Sequence, residues 1–149
     1  MDFKNIDEKT ALEGFGSGFD CSQVVLAHCA DKIGMSVDEA LKVASTFGGG
    51  MWAGERCGCV TGGLMALGMK YGHTKPGDEE TKNALLTKKA GFEKAFSDKN
   101  ESLICKEILG YDISKPDELQ KIMDEGLLQT LCPKLAVSAC EILDEMLSL

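Results

Sequence analysis

The chain has 149 residues, 44% of them hydrophobic and only 6% aromatic, with a formal net charge of −8. That length suits a single domain, whose core must rest on Leu, Ile, Val, Met and Ala. The acidity is concentrated after residue 75, which argues against non-specific nucleic-acid binding and against docking to an anionic membrane, since both need basic surface.

The opening MDFKNIDEKT is polar and carries no apolar signal segment. No apolar run is long enough to span a bilayer, so membrane insertion is not expected. A cytoplasmic protein with reduced thiols is the expectation. Residues 1–13 read as a loose or helical lead-in, followed by a glycine-rich turn, GFGSGFD, at 14–20. A helix is predicted from about Cys21 to Ile33, capped by Asp20 and stopped by Gly34. Ser36 and Glu39 form a capping box for a second helix running to about Phe47.

Residues 48–72 hold nine of the seventeen glycines. Gly48 to Gly50 read as a flexible break, and a glycine-rich helix is predicted from about Glu55 to Tyr71. Gly54, Gly58 and Gly62 recur every four residues on one face. Each helical glycine costs roughly 1 kcal/mol against Ala, so the stripe implies close packing by another helix. Charged Glu55, Arg56 and Lys70 flank too short an apolar stretch for a membrane reading of this stripe.

After a loop at 73–80, an amphipathic helix is predicted over 79–97, burying Leu85, Leu86, Phe92 and Phe96. A turn at 97–100, a short helix at 102–109 ending at Gly110, a helix at 116–129 led by Pro116 and a last helix at 133–148 led by Pro133 complete the chain. No segment alternates as a strand does. The expected fold is all-α, a small single-domain bundle of about five to seven helices.

Four of the seven cysteines, Cys21, Cys57, Cys105 and Cys132, stand where a helix is predicted to begin. Helix starts carry unpaired N–H groups and a partial positive charge. A thiol there ionises more readily, and the thiolate is the form that attacks or binds metal. Cys29 shares a helical stripe with Val25, Leu26 and Ile33, and Cys140 one with Ala136, Leu143 and Leu147, so both read as core residues. Cys59 is a further candidate. In a continuous helix it points about 200° away from Cys57, towards Gly62, Gly63 and Ala66, where it would replace an alanine at a tight contact. If 57–59 is a loop, the two form an oxidising disulfide or a two-ligand clip.

No pair has C-x-x-C spacing and no run matches bacterial ferredoxins, so any site must be assembled from distant segments. His28 lies two turns after Cys21 and is weighed as support for a thiolate against an inert surface position; His73 falls in an exposed loop. Neither glycine-rich stretch follows a strand, which excludes a dinucleotide fingerprint. Nothing suggests a hydrolase triad or a P-loop.

FDCSQVVL at 19–26, FGGGM at 47–51, GERCGCVTGGLMALG at 54–68, Cys105 with ILGYD nearby, and CPKLAVSACEIL at 132–143 together resemble the C_GCAxxG_C_C family of redox-active proteins. The resemblance covers roughly residues 15–145. It places the family's four cysteines on Cys21, Cys57, Cys105 and Cys132. The motif Cys-Gly-Ala-x-x-Gly then reads Cys57 to Gly62, with Cys59 at the alanine position; a shift by one residue would make Cys59 the signature cysteine. The resemblance implies redox activity but no substrate.

Three readings follow. The first is a thiol redox protein, a thiol oxidoreductase, cycling between dithiol and disulfide with an unidentified redox partner protein. In the second, Cys21, Cys57, Cys105 and Cys132 hold an iron–sulfur cluster or a zinc ion. The third is a non-catalytic interaction module. A homodimer could form through the small-residue face.

Overall fold

The computed structural model describes residues 1–148, and among them the chain forms nine α-helices and no strand. All-α is the fold expected, but five to seven helices is too few. The excess arises at both ends. Residues 1–13 are not loose: Asp7 caps a helix α1 (Glu8–Gly16) through a 2.7 Å bond to the Thr10 N–H. The expected 116–129 helix divides into α7 (Pro116–Asp124) and α8 (Leu127–Thr130), because Gly126 adopts a left-handed conformation between them.

The central helix is α2 (Cys21–Ile33), which begins and ends where its cap residues dictate. Nine of its side chains are buried, and it packs on α3 (Val37–Val43), α4 (Gly58–Tyr71) and α9 (Cys132–Leu147). The Ser36–Glu39 capping box starts α3 as expected, but the helix stops at Val43. Ser22 Oγ donates to the Ala44 carbonyl (2.8 Å) and Gln23 Nε2 to the Leu41 carbonyl (2.9 Å), so α2 holds the end of α3 by its carbonyls.

The glycine stripe is close packing for two of its three members. A Cβ on Gly62 would lie 2.7 Å from the Ser22 carbonyl oxygen, and one on Gly58 would lie 2.4 Å from Cys21 Sγ. Both distances are shorter than real contacts allow, so only glycine lets α4 approach α2 this closely. Gly54 is the exception, because it lies outside the helix.

The helix α5 (Glu79–Asn100) is one turn longer than expected and ends on Glu101 in the left-handed region. Phe92 and Phe96 are fully buried, each contributing about 1.5–3 kcal/mol by burial, whereas Leu86 is 47% exposed rather than buried. Leu86 therefore sits outside the stripe that α5 turns to the core. A second, smaller hydrophobic cluster of Cys105, Leu109, Ile113 and Ile122 lies under α6 (Cys105–Leu109) and α7. Among the described residues no single helix is long and apolar enough to cross a membrane.

Candidate functional site

Four segments meet at one cavity of about 240 Å³. Its walls include five cysteines, Cys21, Cys57, Cys59, Cys105 and Cys132, together with Phe15, Phe19, Trp52, Ile108, Leu128 and Leu135. All four cysteines expected at helix starts are found there. Cys21, Cys105 and Cys132 are the first residues of α2, α6 and α9, and Cys57 caps α4.

Cys59 joins them for a reason the periodicity argument missed. The helix α4 starts only at Gly58, and Cys57 keeps extended backbone (φ −51°, ψ 137°). The 200° separation assumed a helix through both residues, so it does not apply. Cys57 and Cys59 therefore share the cavity wall with Cys21.

Two distant segments bring Cys105 alongside. Arg56 and Ile104 form an isolated antiparallel bridge. On one side of it the Cys57 N–H donates to the Leu103 carbonyl (2.8 Å); on the other the Cys105 N–H donates to the Glu55 carbonyl (2.6 Å). The segment is also tied to α5, where Glu93 accepts from both Arg56 and Lys89. A single two-residue bridge leaves almost no alternating pattern, so it is not legible from the residues alone.

The expected flexible break at 48–50 is instead a defined turn. Gly49, Gly50, Met51 and Trp52 all have positive φ, of 58°, 65°, 61° and 55°. For Met51 and Trp52 this left-handed conformation costs roughly 1–2 kcal/mol each. Such strain clusters at functional sites, where the surrounding structure enforces it. Here the turn does two things. It aims the Gly49 N–H at the Cys21 sulfur, and it places the Trp52 indole N–H 3.2 Å from Asp20 Oδ2. A Cβ on Gly48 would lie 2.4 Å from Asp20 Cβ, so the adjoining glycine makes room for the Asp20 side chain.

The five thiols are electrostatically unequal. Cys21 is held well below the ordinary thiol value, first by hydrogen bonds from Cys57 and then Cys59, which outweigh the cost of burial; the Gly49 and Ser22 N–H groups add to the effect. Cys57 is pushed well up, chiefly by its bond to Cys21, and Cys59 by its bonds to Cys21 and Cys57. Burial, then the Cys21 charge, pushes Cys105 up to about 12 and Cys132 upward as well. The expectation that every helix-start cysteine ionises easily thus holds for Cys21 alone. At Cys105 and Cys132 loss of water outweighs the partial charge of a helix end, and at Cys57 the bond to Cys21 does so first. Asp20 is also raised, by burial first, against the opposing Trp52 bond and with a smaller contribution from Cys21.

The remaining candidates lie elsewhere. Cys29 and Cys140 are buried in the main core, as expected. His28 is neither at the surface nor beside Cys21. It is buried, donates from Nδ1 to the Phe3 carbonyl (2.8 Å), and sets Nε2 2.8 Å from Asp144 Oδ1, tying the N-terminal segment to α9. His73 is exposed. Among the described residues no group of three or more His, Cys, Asp or Glu side chains is arranged to hold a metal ion.

No curated protein and no solved structure matches this chain significantly. The model of the family described as "Putative redox-active protein (C_GCAxxG_C_C)" matches residues 19–146, which include all five cavity cysteines, so the chain belongs to that redox-active family.

Proposed function

We propose that the protein is a thiol redox protein in which Cys21 is the attacking group and Cys57 the resolving one. The observation that carries this reading is that Cys21, Cys57 and Cys59 share one cavity wall, where the neighbouring thiols and the Gly49 and Ser22 N–H groups hold Cys21 below the ordinary thiol value. Such donors favour the thiolate, the nucleophile in disulfide exchange. The Cys21 thiolate attacks one sulfur of a disulfide R–S–S–R, the S–S bond breaks, and RS⁻ leaves. The Cys57 thiol then attacks the Cys21 sulfur, forming the Cys21–Cys57 disulfide and expelling the second thiolate. The Cys57 proton passes to the departing sulfur. Two electrons move from Cys21 and Cys57 to R–S–S–R, which is released as one thiol and one thiolate, the latter taking its proton from water. Cys57 suits the resolving role because it caps α4 with extended backbone, while Cys59 is fixed within the helix. A cytoplasmic setting would keep the resting thiols reduced.

Mild oxidation followed by peptide mapping tests this. Two thiols should disappear, with Cys21 and Cys57 in one cross-linked peptide. An unchanged thiol count would sink the proposal.

A second reading rests on a different observation. Five sulfurs line one cavity, and its other walls are largely apolar. Thiolates are soft ligands suited to zinc or iron–sulfur centres. The thiols as arranged do not surround a single ion, so a lone zinc fits poorly. Sulfurs spread around a cavity fit a polynuclear centre better, which would supply one-electron transfer. Cys21, Cys57, Cys105 and Cys132 would be its ligands. Metal and acid-labile sulfide analysis of anaerobically purified protein separates the two readings: iron and sulfide near stoichiometry would favour the cluster.

A further inference from the structure

The cavity has features that select among disulfides. Its lining holds no Lys, Arg or His. Its one carboxylate, Asp20, immediately precedes Cys21 in the chain and faces the Trp52 indole. Several backbone donors beside the sulfurs are already engaged. Gly49 and Ser22 N–H groups serve Cys21, and those of Cys57 and Cys105 serve the Leu103 and Glu55 carbonyls. An anionic ligand would meet the partial charge of the helix starts but no cationic side chain, and it would lie close to Cys21 and Asp20, which is costly in a poorly solvated cavity. An apolar ligand would instead meet Phe15, Phe19, Ile108, Leu128 and Leu135.

Size imposes a second limit. The attacking Cys21 is partly exposed, but the resolving Cys57 is only 4% exposed. A disulfide held in a folded partner's surface reaches this pair less readily than a small molecule that enters the cavity. A cavity of about 150 Å³ is enough for benzene, and this one is about 240 Å³.

Resting on the thiol redox reading above, we propose that the substrate is a small uncharged disulfide with apolar substituents, and that the site discriminates against carboxylate-bearing disulfides. The exchange is the one written above, with R a short alkyl group: R–S–S–R takes two electrons from Cys21 and Cys57 and leaves as two RSH.

The test uses the whole reduced protein and three disulfides of similar size: diethyl disulfide, bis(2-hydroxyethyl) disulfide and the dianion of dithiodiglycolic acid. Each rate is divided by that disulfide's rate with a simple free thiol, which removes intrinsic reactivity. The two neutral compounds should exceed the dianion by at least tenfold, and Asp20→Asn should narrow the gap. A dianion that reacts as fast as the neutral compounds after this correction overturns the proposal. Binding is read separately with thioethers, which cannot exchange. Trp52, the only tryptophan in the chain, lines the cavity and reports occupancy by its emission. Diethyl sulfide should change that emission at concentrations where thiodiglycolate does not. If it does so while no disulfide reacts, the substrate class stands and the thiol redox reading fails. If thiodiglycolate binds as well as diethyl sulfide, the class itself is wrong.

Discussion

Cys21 and Cys29 lie on the same helix, both largely shielded from water, yet they are opposite kinds of thiol. Cys29 sits in the hydrophobic core between apolar side chains, and burial pushes it up to about 12. Cys21 is also desolvated, but Cys57, Cys59, Gly49 and Ser22 direct hydrogens at its sulfur and bring it well below the usual range. Burial alone makes a thiol inert. Burial together with converging donors makes a thiolate, because those donors replace the water the charged form has lost. The difference comes from the segments around the helix: Cys29 faces the core, while Cys21 faces the strained turn at 49–52 and the start of α4.

The contrast is tested most strongly by alkylation at pH 7. A thiol of ordinary acidity is only about 3% ionised there, so Cys21, held below that value, should react faster than Cys29 or any other thiol of the chain. Cys21→Ser should abolish the fast phase. Cys29→Ala should leave it intact and cost about 1 kcal/mol of stability. A fast phase that survives Cys21→Ser would erase the distinction.

Gly58→Ala breaks the reactive side of the comparison by sterics alone. The new methyl would lie 2.4 Å from Cys21 Sγ and 3.0 Å from Gly48 Cα. We expect a loss of about 1–3 kcal/mol in denaturant unfolding, together with slower Cys21 alkylation as its donors are displaced. Unchanged alkylation would mean that the approach of α4 to α2 does not set the reactivity.

The two thiols should also give stability slopes of opposite sign with pH. Cys29 has a folded value of about 12 against an ordinary 9.0. Between these values the unfolded chain releases a proton that the folded chain keeps, so stability falls as pH rises, by at most about 1.4 kcal/mol per pH unit. Cys29→Ala should remove that portion of the slope. Cys21 has a depressed folded value, so its contribution is present above the ordinary value and fades as pH falls through the folded one. Urea unfolding of each variant from pH 6 to 10.5 measures both.

The smallest effect expected is at the turn. Met51 has φ 61° and is 48% exposed. Met51→Gly relieves the left-handed strain but frees the unfolded chain, for a net gain of about 0.5–1 kcal/mol in thermal unfolding. The rate at Cys21 should not change, since the Met51 side chain is not part of the cavity lining.

Much of this architecture was legible in the residues. Asp20, Gly34, Ser36, Glu39, Pro116 and Gly110 punctuate helices through chemistry confined to one turn, and the structure puts helix ends beside each. Gly58 and Gly62 announced a close approach, because a helical glycine is costly unless a neighbour needs the space. The family motif marked the helix-start cysteines. The opposed acidities of those cysteines were not legible, nor was the contact of Cys59 with Cys21. A helix start supplies the same partial charge wherever it lies, and a thiol's acidity depends on what surrounds it.

What the sequence by itself determined was the set of helices, the cap residues that bound most of them, and which cysteines stand at helix starts, because these rest on interactions within a few residues. Only the tertiary structure decided which of those cysteines is held below the ordinary thiol value. That choice depends on donors from Gly49, Cys57 and Cys59 meeting a sulfur 28 to 38 positions away in the chain, and on a two-residue bridge that carries Cys105 beside them. Contacts between such distant segments leave no periodic trace, since they are fixed by how helices pack and not by how each one forms.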